Sequence, residues 1–182
     1  MHLGPTVPSR YLAILRLNNL TSLRKLAITS DRIWWSTIDS SIIDWPKSLS
    51  MLNLPRCENL HKLSLEISMK NLPDLDKLTP NLTKLSLRFT QLVESPLETL
   101  KKLPKLKILK LRESSYKGRQ IICSGEPDNF PQLETLEIHD LPRLEELIAE
   151  EGAMPRLRKL SIFGCRWLTG IPDRFRNIIT AG

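Results

Sequence analysis

One spelling recurs along this chain, L-x-x-L-x-[L/I]: Leu23-Leu26-Ile28, Leu60-Leu63-Leu65, Leu82-Leu85-Leu87, Leu106-Leu109-Leu111, Leu133-Leu136-Ile138 and Leu157-Leu160-Ile162. Polar or charged residues fill nearly every position between the apolar ones. The end of each copy alternates apolar and polar, which is the period of a β-strand buried on one face only. The copies start 37, 22, 24, 27 and 24 residues apart. Each is therefore expected to form one short strand in a coil that returns to begin the next. Three residues before the copies stand Leu20, Cys57, Thr79, Leu103, Phe130 and Met154, mostly apolar, which adds an inward rung ahead of each strand. Three residues after them stand Asp31, Ser68, Thr90, Ser114, Leu141 and Cys165. All but Leu141 can bond backbone groups where the chain turns off the strand.

Four of the five intervals fall in the roughly 20–29-residue range of the leucine-rich repeat, which this pattern resembles. The resemblance implies an α/β solenoid: a parallel β-sheet on the concave face, with short helices or irregular coils on the convex face. One domain over residues 1–182, of about six to seven repeats, is expected. Two segments depart from the period. Residues 29–59 are irregular, and within them the stretch between Thr29 and Pro46, with Trp34, Trp35, Ile38, Ile42 and Ile43, reads as an enlarged convex helix or loop. The near-copies Leu12-Leu15-Leu17 and Leu49-Leu52-Leu54 each start 11 residues before a true copy, and read as convex, helical approach segments. Residues 113–129, with Gly118, Gly125 and Pro127, read as a surface loop. Pro73, Pro80, Pro104, Pro131, Pro142, Pro155 and Pro172 sit at turns or just before strands, where no ladder N–H is needed.

Composition narrows the classes. Aromatics are only 5% of the 182 residues, which suits leucine ladders better than a mixed globular core. The longest apolar run, Tyr11 to Leu15, is far short of the ~18 residues a membrane span needs. Cys57, Cys123 and Cys165 are odd in number and show no paired spacing, and Met1 to Pro5 does not open a secretory signal. A reducing, cytoplasmic setting with thiols unbridged is expected. The sequons at Asn19 and Asn81 overlap the leucine grid and read as chance. The net charge of +7 is uneven. Residues 1–112 hold 18 Lys/Arg against 9 Asp/Glu, whereas residues 113–182 hold 9 against 11. The two parts suit differently charged partners.

The last third is more specific. Phe130-Pro131-Gln132-Leu133 leads to Leu141-Pro142-Arg143-Leu144, then Glu150-Glu151-Gly152-Ala153-Met154-Pro155, then Leu157-Leu160-Ile162-Cys165-Leu168-Ile171-Pro172. This succession resembles the final repeats of plant coiled-coil, nucleotide-binding, leucine-rich-repeat immune receptors. The resemblance implies a sensor that holds the receptor off and helps detect a pathogen effector or a guarded host protein. In that family a separate ATPase module does the switching. No G-x-x-x-x-G-K-[ST] loop and no coiled-coil stretch occur here, so nucleotide switching is not carried over. The chain reads as a detached C-terminal sensor region. The alternative is an intracellular repeat scaffold unrelated to immunity.

Side chains flanking the ladder leucines should face the concave side. The expected columns are Lys25/Ala27/Thr29, Lys62/Ser64/Glu66, Lys84/Ser86/Arg88, Ile108/Lys110/Arg112, Thr135/Glu137/His139 and Lys159/Ser161/Phe163. Four of the six first places are Lys, which reads as a docking strip for an acidic partner or an acidic intramolecular domain such as the receptor's switch domain, or as an ordinary solvated strand face. The partner-binding candidates are Lys25, Lys62, Glu66, Lys84, Arg88, Lys110, Arg112, Glu137, His139, Lys159 and Phe163. Phe163 is the best single contact, because aromatics are enriched in interface hot spots, or else packs against the C-terminal segment as a cap. Trp34, Trp35, Trp45 and Trp167 are expected to pad irregular or terminal coils. No enzyme is expected: His2, His61 and His139 are scattered, and Cys123 has no activating motif. Zinc spacing is absent, so no metal or cofactor is expected. Basic residues without aromatics offer few platforms for bases, so the partner should be a protein and not a nucleic acid. The isolated domain should be a monomer.

Overall fold

A computed structural model describes residues 6–8, 24–29, 57–72, 74–126 and 128–181. In chain order the elements are β1 (Thr6–Pro8), β2 (Lys25–Thr29), β3 (Lys62–Glu66), α1 (Leu75–Leu78), β4 (Lys84–Arg88), α2 (Pro96–Leu100), β5 (Ile108–Arg112), β6 (Gln120–Cys123), β7 (Thr135–His139), β8 (Glu146–Ala149), β9 (Lys159–Phe163) and β10 (Ile179–Ala181). Eight strands form one parallel sheet in the order β1-β2-β3-β4-β5-β7-β9-β10. The chain is a leucine-rich-repeat solenoid with little helix.

Register follows the leucine grid without slippage. Leu63 pairs Leu85, Leu85 pairs Leu109, Leu109 pairs Leu136 and Leu136 pairs Leu160. A shift of one residue would turn every ladder leucine to solvent, so burial of the leucines enforces the pairing. From Leu60 to Ile162 the ladder side chains are buried, apart from the half-buried Leu157. The rung ahead of the strands is inward too: Cys57, Thr79, Leu103, Phe130 and Met154 are all at most 1% exposed. At each strand entry two successive amides share one carbonyl of the previous coil. His61 and Lys62 N–H donate to Arg24 O, Thr83 and Lys84 N–H to His61 O, and Lys107 and Ile108 N–H to Thr83 O. Glu134 and Thr135, then Arg158 and Lys159, repeat the arrangement.

At the strand exits the backbone enters the left-handed region in the same column: Phe89 (φ 53°), Glu113 (33°), Asp140 (54°) and Gly164 (68°). The slot beyond the strand is closed by side chains in two coils. Thr90 is buried and its Oγ1 donates to Ser115 O at 2.8 Å, while Cys165 Sγ lies 3.6 Å from Phe163 O. Cys165 is only partly buried, unlike Cys57, because its coil is nearer the end of the described stack.

The segment 113–129, expected as a plain loop, carries β6, which pairs in parallel with β8 in a separate two-stranded sheet. Ile121 and Cys123 point into the core, fully buried, and Gln120 and Ile122 point out. The outer edge of β6 is closed by Ser95, whose Oγ accepts from Ile122 N (3.1 Å) and donates to Ile122 O (3.2 Å). Ser95 therefore serves β6 and not its own helix α2, where it makes no side-chain cap. Below β6, buried Asn129 donates to Ser124 O and Oγ, both at 3.0 Å. Trp167, expected to pad a terminal coil, faces outward. It is 67% exposed and pads nothing, since the turn after β9 directs it outward. The expected approach segments at Leu12–Leu17 and Leu49–Leu54, together with Trp34, Trp35 and Trp45, lie outside the described residues.

Candidate functional site: the concave sheet face

Strand alternation places the candidate side chains in three columns along the solenoid. The first runs Lys25, Lys62, Lys84, Ile108, Thr135, Lys159, each in direct register with the next. Lys25, Lys62 and Lys159 are exposed and Lys84 half-buried. The second column runs Ala27, Ser64, Ser86, Lys110, Glu137, Ser161, and the third Thr29, Glu66, Arg88, Arg112, His139, Phe163.

Charges in the middle of the face neutralise one another across strands. Glu137 accepts from Lys110 Nζ at 2.7 Å and from Arg112 Nη2 through its other carboxylate oxygen. Burial alone would push the Glu137 carboxyl up, but the hydrogen bonds from Lys110 and Arg112 outweigh it and hold the carboxyl below its ordinary range. Arg88 bridges Glu113 at 2.7 Å and Glu66 at 3.6 Å. These pairs tie β3 to β4 and β5 to β7.

The ends of the face differ from its middle. Lys25, Lys62, Lys84 and Lys159 have no ion-pair partner among the described residues. Burial pushes the Lys84 ammonium below its ordinary value, and the nearby charges of Lys110 and Lys62 add to this. Beside Lys25 and Lys62, an open depression of about 420 Å³ is lined also by Arg24, Asn59 and His61. At the opposite end, Phe163 is 54% exposed and meets His139 edge-on, with ring centroids 6.2 Å apart. His139 Nε2 lies 3.1 Å from Ser161 Oγ.

The structure thus gathers the candidates into four groups: a lysine row, two salt-bridged clusters and an aromatic end. Lys159 stands apart from the other lysines, behind Ile108 and Thr135. Three contributors escaped the sequence reading. Glu113 follows a strand, where its pairing with Arg88 depends on the left-handed turn. Arg24 and His61 sit on the strand-entry carbonyl ladder, and only the coil geometry brings them to one depression. Trp167, beside a second depression of about 440 Å³ with Asp140, Pro142 and Arg166, is a further exposed apolar side chain near the Phe163 end.

Nucleophilic chemistry finds no support in the groups described. Burial, with the Glu98 carboxylate adding to it, pushes the Cys123 thiol up to about 12. Lys101 Nζ donates to Ser124 Oγ at 3.0 Å, the reach of a Ser–Lys pair. Yet its hydrogen bond to Glu98, 2.8 Å long, raises the Lys101 ammonium above its ordinary value, so it stays protonated and cannot act as the base. Among the described residues no helix is long and apolar enough to cross a membrane.

Sequence comparison agrees with the geometry. Residues 9–175 match the family model described as a leucine-rich repeat region. Disease resistance RPP8-like protein 3 of Arabidopsis thaliana is 39% identical over 120 residues, covering 66% of this chain and 13% of that protein. A putative disease resistance protein of the same plant is 37% identical over 170 residues, covering 91% and 18%. Disease resistance protein RPP8 is 32% identical over 204 residues, covering 98% and 22%. The chain spans about a fifth or less of the length of these relatives. It belongs to the leucine-rich-repeat family, in the form of the repeat region carried by plant disease resistance proteins.

Proposed function

We propose that this chain is the protein-recognition and regulatory module of a plant innate immune receptor. It binds a pathogen effector or a guarded host protein through its concave face and restrains a switch domain elsewhere in the receptor. The mechanism is differential contact: a partner that prefers one arrangement of receptor and repeats shifts the switch toward it. No cofactor or catalytic step enters, the setting is cytoplasmic, and the repeat domain by itself is a single monomeric unit.

The carrying observation is the contrast on one sheet face. Its middle is self-paired, while Lys25 and Lys62 at one end, beside the half-buried Lys84, and Phe163 at the other are presented to solvent. The test uses a full receptor bearing these repeats, expressed in leaf tissue with Lys62→Glu, Lys84→Glu or Phe163→Ala. Circular dichroism of the repeat chain should be unchanged by each substitution. Partner capture should fall at least about tenfold, or resting cell-death activity should rise, in at least one variant. Unchanged capture together with unchanged resting activity in all three overturns the assignment.

A further inference from the structure

We propose that the concave face takes a helical segment of a partner protein at two points at once: carboxylates over Lys25, Lys62 and Lys84, and one large apolar side chain against Phe163. The proposal rests on the concave face being the recognition surface and adds what the partner must look like.

The lysine row is the first support. Lys25, Lys62 and Lys84 stand directly opposite one another on adjacent strands, ~4.8 Å apart. Like charges in that position are destabilising. In the middle of the same face each charged side chain meets an opposite one, as in Lys110 with Glu137 and Arg88 with Glu66, and even the like-charged register partners Arg88 and Arg112 are neutralised by Glu113 and Glu137. A solenoid that pairs its charges in the middle and leaves three cations facing one another at the end is built for an anion supplied from outside. Arg24, around the adjoining depression, widens the cationic end.

The spacing selects the occupant. Carboxylates three or four residues apart on a helix lie ~5–6 Å from one another, close to the strand separation. On an extended strand, residues on one face repeat at ~6.6–7 Å and fall out of step after one lysine. The charge-neutral centre asks for no charged group from the partner. The row ends at Ile108, half-buried in the same column.

The second point is Phe163, with its ring exposed and its edge against His139. From Lys62 to Phe163 the path crosses four strand separations, ~19 Å, and four residues along the strand, ~13 Å. The diagonal is ~23 Å, or about 15 residues of helix at ~1.5 Å per residue. The two points should contribute differently. Lysines steer approach and set the association rate, whereas the packed aromatic contact sets the dissociation rate.

The experiment uses two fluorescent helix-forming peptides of identical composition, each with three Glu at i, i+3/i+4 spacing and one Leu-Trp pair. In the first the acidic and apolar groups are centred about 15 residues apart, in the second about 7. Anisotropy titration with the full chain should show the first binding about tenfold tighter, because only it engages both points. Lys62→Glu with Lys84→Glu should abolish that advantage, slow association and flatten the salt dependence. Phe163→Ala should abolish it by speeding dissociation. Equal affinity of the two peptides, or no binding of either at about 1 mM, overturns the two-point helix and leaves concave-face recognition standing. Binding that is preferential yet indifferent to all three substitutions overturns both.

Discussion

At the residue scale, backbone strain recurs at the strand exits, where four coils turn through the left-handed region and only the last uses glycine. For a residue with a Cβ that conformation costs of order 1–2 kcal/mol. Phe89, Glu113 and Asp140 hold it because their amides are committed to the next coil: Phe89 N–H to Glu113 O, Glu113 N–H to His139 O, Asp140 N–H to Phe163 O. Gly164 is different in kind. A Cβ there would lie 2.1 Å from Asp140 Oδ1 and 3.3 Å from its Cα, on top of the φ of 68°. Gly164→Ala should therefore lower stability by about 1–2 kcal/mol through the backbone alone, a fall in Tm of roughly 3–6 °C for a chain of this size, with the clash adding to it. Adding Asp140→Ala should recover the steric part of the loss and leave the conformational part. Thermal melts of the two single variants and the double variant check this. Strict additivity would place the clash elsewhere.

At the element scale, the side chains between the ladder leucines stitch strand to strand, and Glu137 is one of those that meet two opposite charges. It receives both Lys110 and Arg112 of β5, and its folded-state carboxyl is held below the ordinary range. A carboxyl depressed on folding adds stability that is complete above its unfolded value, ~4.3. That stability drains away as pH falls through the lower folded value. The Tm difference between the parent and Glu137→Gln should thus be constant from pH 7 to about 5 and shrink below about 4. A difference that persists unchanged at pH 3 would remove the carboxylate from the energetics of the β5–β7 pairing. β1 and β10 lie on no copy of the motif, while the other six strands of this sheet, β2 to β5, β7 and β9, were legible in the sequence because each lies on one five-residue alternation. β6 and β8 were not. Gln120–Cys123 is short, lies between Gly118 and Gly125, and is held by partners 26 residues away in sequence, so no local period announces it. The lysine row was legible as a count of Lys at one place in the motif. Its isolation was not, because whether a lysine is paired depends on the neighbouring strand and on turns such as that at Glu113.

At the scale of the whole molecule, a solenoid has no common centre, and each coil buries its leucines only against its two neighbours. Leu109 illustrates the consequence. It is fully buried, and its register partners are Leu85 on one side and Leu136 on the other. Leu109→Ala removes apolar contact and leaves a cavity, a loss of about 2–5 kcal/mol. In a globular core that loss would spread over the entire fold. Here it should be graded: amide hydrogen exchange should accelerate most in β4, β5 and β7, less in β3 and β9, and least in β10. The same gradient bears on recognition, because the lysine row spans β2 to β4 and Phe163 lies on β9, on opposite sides of the damaged coil. Loosening β5 should disturb the distance between the two ends while leaving each end folded. A partner that needs both should lose affinity, and one that needs only the lysines should not. Hydrogen exchange with peptide-level resolution on the parent and Leu109→Ala chains decides the first part. A uniform acceleration from β3 to β10 would mean that the stack unfolds as a single unit, and the two ends could not then be loosened from one another through the coil between them.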